Sequence, residues 1–230
     1  MKGHRSDMIE RPSPNHGPRT PGPVDILLLH YTGMVDAGQA LARMCDPAAE
    51  VSAHYMIDED GTVCRLVDED RRAWHAGDSY WAGETDINSR SVGIELVNPG
   101  HEFGYRPFPD AQMEALIALA GDILARYPIP PWRVLGHSDV APARKQDPGE
   151  LFDWPRLAAA GIGVWPAGPV ADAAADAEAV ARDLAAIGYR MADGAAVVAA
   201  FQRHFRPARF DGRIDAETAG LAAAVAALTG

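Results

Sequence analysis

The most constraining feature of this chain is a short apolar run near its beginning. Five of the six residues from Val24 to Leu29 are apolar, and the run is followed by the polar residue His30. A continuous apolar run of this length is typical of a strand that is buried on both faces of a sheet. We therefore expect a central strand here, with His30 placed where the strand ends and a turn begins.

The chain up to residue 165 mixes strand and helix signals. The Asp60–Gly61 pair predicts a hairpin between strands at residues 53–57 and 62–67, because Asp-Gly suits a tight hairpin turn. Further strands are predicted at Ser91–Val97 and Val134–Gly136, the second leading into a polar loop. This mixture predicts the α/β or α+β class, with a central mixed β-sheet flanked by helices.

Helices are predicted at residues 37–44, from residue 110 to Pro128, and from the Trp154–Pro155 pair. Asp110 is the expected cap of the second of these helices, and Pro128 stops it. Its core-facing side chains are expected to form one apolar stripe: Met113, Leu116, Ile117, Ala120, Leu124 and Tyr127.

The sequence suggests four segments. Residues 1–23 are polar and proline-rich and indicate an extended N-terminal arm. Residues 24–166 form the predicted main domain, and residues 167–178, which contain Gly168 and Pro169 and then become rich in alanine and aspartate, form a linker. Residues 179–230 have the pattern of three short helices, the last capped by Asp215, and predict a small C-terminal helical domain.

Charge and composition exclude several classes of partner. The formal net charge of −11 provides no basic surface for nucleic acid and argues against adsorption to an anionic membrane. No stretch is long and apolar enough for membrane insertion, and residues 1–23 contain no apolar core of a secretory signal. Cys45 and Cys64 are expected to be free thiols in a reducing compartment. We therefore expect a cytoplasmic monomer, with the periplasm as the alternative.

Three residues have the chemistry of metal ligands. His30 follows the apolar strand, His137 follows the strand at Val134–Gly136, and Asp147 lies ten residues beyond His137. Each has an ordinary alternative, as a hydrogen-bonded structural histidine or as part of a solvated loop. Together they supply three nitrogen or oxygen donors, which is the usual protein share of a catalytic zinc site.

Glu95 and Lys145 are the candidate catalytic residues. Glu95 lies inside an otherwise apolar strand, where a buried carboxylate needs a cation, water or hydrogen bonds; the alternative is a solvent-facing edge strand. Lys145 lies two positions before Asp147, so in an extended segment both side chains face the same cavity. Glu95 could move a proton and Lys145 could stabilise an oxyanion in metal-assisted amide hydrolysis.

Five segments occur in an order that resembles the type-2 N-acetylmuramoyl-L-alanine amidases. They are Leu28–Thr32, Ser52–Val63, Arg72–Gly77, Asn88–Glu95 and Gly136–Gly149. This family shares its fold with peptidoglycan recognition proteins and a phage amidase-lysozyme. The resemblance extends from about Asp25 to Trp165.

The resemblance implies a Zn²⁺ cofactor held by His30, His137 and Asp147, with Glu95 as the base and Lys145 as the transition-state stabiliser. It places Trp74, His75 and Asn88 in the substrate groove, although core packing is an alternative for Trp74. Ala53, the strand glutamate and the aspartate ligand resemble the bacterial recycling and periplasmic branch rather than the phage-type branch. Residues 24–166 are thus expected to be a zinc amidase domain.

The C-terminal helices, with Phe201–Phe205 and Phe210–Thr218, are similar to a three-helix peptidoglycan-binding module, and a purely structural cap is the alternative. The expected partners are peptidoglycan fragments (muropeptides). The predicted reaction is hydrolysis of the amide between the muramic acid lactyl group and L-alanine, in cell-wall turnover or recycling. The alternative function is a non-catalytic protein that recognises muropeptides.

Overall fold

A computed structural model describes residues 8–171 and 173–229 of the chain. The chain divides into two compact units. The first consists of the chain up to Gly77 together with Asn88–Ile129, and the second consists of Asp78–Ile87 together with Pro130–Gly230. The four segments expected from the sequence stay a prediction, and the first seven residues of the expected arm lie outside the described residues.

The first unit contributes five strands to a mixed sheet and holds a separate two-stranded sheet. The strands of this unit are β1 (Ile9–Glu10), β2 (His16–Pro18), β3 (Ile26–Tyr31), β4 (Tyr55–Ile57), β5 (Val63–Arg65), β6 (Arg71–Ala73) and β7 (Ser91–Leu96). Five of them follow the order β1-β5-β4-β7-β3, and β2 pairs with β6. Strand β7 is parallel to both β3 and β4, whereas β4 and β5 are antiparallel. The predicted mixed sheet and the hairpin are therefore confirmed.

The apolar run near the beginning of the chain forms the core of β3. Residues 26–29 are fully buried, in agreement with the expected central strand. The strand extends one residue beyond His30, because Tyr31 still pairs with Leu96 of β7. His30 therefore lies within the paired part of the strand rather than in the turn that follows.

The helices of this part of the chain are α1 (Ala37–Cys45), α2 (Ile87–Arg90), α3 (Gly100–Phe103) and α4 (Asp110–Arg126). Asp110 is the first residue of α4, and Pro109 rather than Asp110 occupies the cap position. The predicted stripe of α4 is partly wrong, because Ile117, Leu124 and Tyr127 are only half-buried, and Tyr127 lies just beyond the end of the helix. The buried side chains of the helix are Gln112, Met113, Leu116, Leu119, Ala120 and Ile123.

Gln112 explains why the buried stripe of α4 includes a polar residue. Its side-chain amide donates hydrogen bonds to the carbonyl oxygens of Ile57 (2.9 Å) and Val97 (3.0 Å). These carbonyls lie at the end of β4 and just after β7, so the amide joins α4 to both strands; the Ile57 carbonyl also accepts a hydrogen bond from the Val97 N–H (2.9 Å). A polar residue can therefore occupy the core face, which an apolar pattern cannot predict.

The described part of the expected arm belongs to the first unit. Strand β1 pairs in parallel with β5, and β2 pairs with β6. Between them, the buried Asn15 amide donates to the carbonyl oxygens of Met44 (3.3 Å), Asp46 (2.8 Å) and Val51 (2.9 Å). The arm is extended, as expected, and its side chains join the core of this unit.

Within its described residues, the second unit contains one strand and five α-helices: β8 (Val134–Gly136), α5 (His137–Val140), α6 (Trp154–Ala159), α7 (Ala177–Ile187), α8 (Ala195–Phe205) and α9 (Ala216–Ala226). The prediction of a polar loop directly after β8 is wrong, because α5 begins at the next residue. The three C-terminal helices are confirmed, and the Asp215 side chain caps α9 by accepting a hydrogen bond from the Thr218 N–H (2.9 Å). No helix within residues 8–171 and 173–229 has both the length and the apolarity to cross a membrane.

Candidate metal centre and active site

His30 and Glu95 lie side by side on one face of the sheet. In the parallel pairing of β3 with β7, His30 is directly opposite Glu95. Opposed residues on neighbouring strands project from the same face, so the imidazole and the carboxylate share one side of the sheet. His30 is 1% exposed, whereas Glu95 is half-buried. The pairing of two buried strands therefore places a carboxylate next to a candidate metal ligand.

His75 contacts His30 through a hydrogen bond between rings. His30 Nε2 and His75 Nδ1 are 3.0 Å apart, and the two rings meet nearly at right angles. The His75 ring lies over Gly93 of β7, where a Cβ atom would be only 2.6 Å from it. The absence of a side chain at Gly93 thus leaves room for the His75 ring. From this position, His75 holds the His30 ring in place through their hydrogen bond.

Asn88 holds the backbone on which His75 sits. Its side-chain oxygen accepts hydrogen bonds from the N–H groups of His75 (3.0 Å) and Ala76 (2.8 Å). Asn88 and His75 are each 6% exposed. The two residues therefore form a buried support for His30, a role that their sequence positions alone did not indicate.

His54 is a third buried imidazole of this unit, and no role was predicted for it from the sequence. The Gly93 N–H donates to His54 Nδ1 (2.9 Å), so the neutral ring carries its proton on Nε2, 3.1 Å from the Arg71 carbonyl oxygen. Burial, and then the positive charge of Arg19, lower the pKa of His54 to about 3. His54 is therefore neutral near pH 7 and acts as a hydrogen-bonded structural residue.

His137 and Asp147 form a buried pair in the second unit. His137 Nδ1 and Asp147 Oδ2 are 3.0 Å apart, and the residues are 3% and 6% exposed. The Ser138 N–H also donates to the Asp147 carbonyl oxygen (2.9 Å), which ties α5 to the segment that carries the carboxylate. The start of α5 and the segment that carries Asp147 are therefore joined by one backbone and one side-chain hydrogen bond.

His30, His137 and Asp147 each offer one ligand atom, and these three atoms lie within 4.8 Å of one another. All three residues are buried. Two imidazole nitrogens and a carboxylate oxygen match the donors that zinc takes in catalytic sites, where three protein ligands leave one position open. The donor set therefore fits a zinc ion.

Lys145 and Trp74 are more accessible than the trio. Lys145 is half-buried, and its backbone N–H donates to the carbonyl oxygen of Ala141 (2.9 Å). Trp74 is also half-buried, and its indole nitrogen lies beside Gly17 of β2, 4.0 Å from the position of an added Cβ. Trp74 therefore keeps part of its surface exposed, unlike the buried trio.

Comparison with known proteins gives the family of this chain. Residues 20–150 match the family described as N-acetylmuramoyl-L-alanine amidase. The match covers more than half of the chain and includes all eight residues selected above. The chain belongs to this family.

Two curated amidases illustrate the relationship. The N-acetylmuramoyl-L-alanine amidase AmiD of Escherichia coli (strain K12) is 39% identical over 88% of this chain and 82% of its own length. The 1,6-anhydro-N-acetylmuramyl-L-alanine amidase AmpD of Enterobacter cloacae is 44% identical over 55% of this chain and 66% of its own length. The similarity to the first relative thus extends over most of both chains.

Solved amidase structures share the fold. AmiD from E. coli, in complex with the substrate anhydro-N-acetylmuramic acid-L-Ala-D-γ-Glu-L-Lys, superposes with a TM-score of 0.79 and 38% identity, covering 88% of each chain. AmpDh3 from Pseudomonas aeruginosa, in complex with an anhydromuramic pentapeptide, gives a TM-score of 0.78 and 34% identity, covering 89% of this chain and 92% of its own. The amidase family and its α/β fold are therefore both established for this chain.

Proposed function

We propose that this chain hydrolyses the amide between the lactyl group of N-acetylmuramic or 1,6-anhydro-N-acetylmuramic acid and L-alanine. The observation that carries the proposal is the buried trio of His30, His137 and Asp147, with Glu95 beside His30 on the sheet. Membership of the amidase family supports it, as does the anhydromuramyl peptide in the complex of the relative AmiD.

In this proposal, a zinc ion is held by His30, His137 and Asp147. When bound there, the ion would supply Lewis acidity for the amide carbonyl and lower the pKa of water towards neutrality. Burial supports the assignment, because a carboxylate taken out of water needs a compensating positive charge. The contact with His75 supports it further, since metal-binding imidazoles are commonly oriented by a partner on the other ring nitrogen.

Glu95 is the proposed general base. Its carboxylate takes a proton from the attacking water and returns it to the amine of L-alanine as the amide bond breaks. The register between β3 and β7 supports this role, because it puts the carboxylate on the same face as His30. Lys145 is the proposed cation that stabilises the negative charge developing on the carbonyl oxygen.

The substrate groove was predicted to be lined by Trp74, His75 and Asn88. These residues differ in burial, and we propose different roles for them. The half-buried Trp74 is the proposed substrate contact, because an aromatic face can pack against a sugar ring or an apolar part of the peptide. His75 and Asn88 are buried and bonded to His30 and to backbone, so we propose that they act by orienting the metal ligand.

The decisive test is incubation of the purified, zinc-loaded chain with anhydro-N-acetylmuramyl peptides. We expect mass spectrometry to find the free L-alanyl peptide and the peptide-free sugar. Binding of the muropeptide without release of peptide would contradict the proposal and favour the alternative of a recognition protein. Treatment with a chelator is the matched control and should abolish release.

The substrate form and the compartment need a second experiment. We propose small anhydro-muropeptides as substrates and the cytoplasm as the compartment, with polymeric wall in the periplasm as the alternative. Cys45 and Cys64 are both free thiols, which supports a reducing compartment. Mass spectrometry of digests of anhydro-muropeptides and of intact sacculi would show which substrate is cleaved faster. Cell fractionation would show which compartment contains the protein. Faster digestion of sacculi would contradict the preference for small fragments.

A further inference from the structure

A buried carboxylate lies two residues beyond the candidate ligand His137. Asp139 is 2% exposed and belongs to α5, the helix that begins with His137. One of its carboxylate oxygens accepts a hydrogen bond from the Gly136 N–H (2.8 Å). Asp139 therefore closes the turn in which His137 sits, at the junction of β8 and α5.

The other donors to this carboxylate come from the C-terminal helical segment. The Tyr189 hydroxyl donates to Asp139 Oδ1 (2.6 Å), and His204 Nδ1 lies 2.8 Å from Asp139 Oδ2. Tyr189 follows α7 and His204 is part of α8, and they are 3% and 5% exposed. Two residues from a segment that resembles a separate binding module thus contact the turn that carries a candidate metal ligand.

Packing around this contact is close on both sides. The His204 ring stacks on Trp154 with centroids 3.7 Å apart and planes 15° apart. A Cβ atom at Gly136 would be 2.7 Å from Pro148 Cδ and 3.3 Å from the Trp154 ring. The turn before His137 is therefore enclosed by the segment that carries Asp147 and by the tryptophan on which His204 rests.

The physical consequence concerns the orientation of His137. A carboxylate buried with three donors holds one orientation, because turning it would leave donors and acceptor unpaired. Through the Gly136 N–H, that orientation is transmitted to the backbone immediately before His137. Metal affinity depends on such outer contacts, whose loss commonly costs 10-fold to 100-fold.

We infer that Asp139 is a positioning residue for His137, and that the C-terminal helices act on the metal centre through Tyr189 and His204. The inference rests on the proposed function, since it assumes that His137 binds zinc. It goes beyond that function because it gives the C-terminal helices a role in metal affinity, in addition to any role in binding peptidoglycan.

The test compares zinc affinity in variants that remove one donor and keep the shape of the side chain. Tyr189→Phe removes the hydroxyl, and His204→Phe keeps an aromatic ring on Trp154 while removing Nδ1. We expect each to raise the dissociation constant for zinc about tenfold. Affinity is measured by chelator competition with the full-length chain at a temperature where circular dichroism shows every variant folded. The visible spectrum of the cobalt-substituted protein should change in the same variants.

The matched control removes a buried hydrogen-bonding group elsewhere in the same helices. The Thr218 hydroxyl bonds with Gln202 (2.9 Å), Arg206 (2.9 Å) and Asp215 (2.8 Å), and these contacts do not involve Asp139. Thr218→Val should lower thermal stability and leave the zinc dissociation constant unchanged.

Three results would overturn the inference. The first is an unchanged zinc affinity in both Tyr189→Phe and His204→Phe. The second is an equal loss of affinity in Thr218→Val, which would show that affinity follows general stability. If either aromatic variant fails to fold, Asp139→Asn is measured in its place, and an unchanged affinity in that variant is the third. A wild-type chain that binds no zinc would instead contradict the proposed function itself.

Discussion

At the scale of single residues, a missing side chain matters as much as a present one. The space that a side chain at Gly93 in β7 would need is occupied by the ring of His75, which in turn contacts His30. A glycine inside an apolar strand weakens β-structure, and it commonly marks a place where another group approaches closely. The glycine is thus a local sign that some group packs against β7, and the structure identifies that group as His75, which was expected in the substrate groove.

Gly93→Ala should therefore reduce both stability and zinc affinity. The added methyl would sit 2.6 Å from the His75 ring, and overpacking of this kind costs about 1–3 kcal/mol. Gly121→Ala in α4 is the control, because an added Cβ there has open space and alanine favours a helix by about 1 kcal/mol. Urea denaturation and chelator competition measure the two effects. A Gly93→Ala variant as stable as wild type would contradict the close contact.

Replacing Glu95 and replacing His137 are expected to have different effects on zinc content and on kcat. Glu95→Ala should keep its zinc and lose about 10²–10⁴-fold in kcat, because only proton transfer is removed. His137→Ala should lose zinc, because a ligand is removed. Elemental analysis and rate measurements on the same samples distinguish the two. Retained activity in Glu95→Ala would mean that another residue is the base, and unchanged zinc in His137→Ala would contradict the ligand set.

At the scale of elements, α4 illustrates how a helix is positioned by a polar residue. The predicted apolar stripe identified Met113, Leu116 and Ala120 correctly and misplaced the edges of the buried face. The face is rotated because the Gln112 amide bonds to backbone carbonyls at β4 and beyond β7. Hydrophobic periodicity predicts that a helix has a buried face, but a specific polar contact selects which residues form it.

Gln112→Leu should lower the free energy of unfolding by about 1–3 kcal/mol, because it removes the side-chain hydrogen bonds to the Ile57 and Val97 carbonyls, although the Ile57 carbonyl keeps its bond from the Val97 N–H. Gln39→Leu on the exposed face of α1 is the matched control and should change the free energy by less than about 0.5 kcal/mol. Urea denaturation of both variants measures the difference. Equal stabilities would show that the Gln112 bonds do not hold α4 in place.

At the scale of the whole molecule, the buried residue His54 couples folding to pH. His54 has a pKa of about 3 in the folded chain against an ordinary value of 6.5. Between these values the unfolded chain binds a proton that the folded chain does not bind. Stability from this residue is therefore complete above pH 6.5 and is lost as the pH falls, with a slope of at most about 1.4 kcal/mol per pH unit.

We expect the free energy of unfolding to decrease between pH 6.5 and pH 5, and His54→Asn to show a smaller slope in that window. Urea denaturation at several pH values provides the slopes. A wild-type slope equal to that of His54→Asn would contradict the lowered pKa of His54.

The sequence by itself determined the class of fold, the central strand β3, the hairpin and the three C-terminal helices. These features follow from patterns within a few residues, such as an apolar run, an Asp-Gly turn or a helix cap. The chemical types of the proposed ligands and base were also readable, because two histidines, an aspartate and a strand glutamate stand out from their surroundings.

Only the tertiary structure decided which residues support those candidates. His75 contacts His30 from 45 positions away, and Tyr189 and His204 reach Asp139 from 50 and 65 positions away. Contacts over such distances depend on how whole elements pack, and no local pattern encodes them. Short sequence motifs thus predict which chemical groups form the site, whereas the contacts that hold these groups in place are made by side chains that folding brings together.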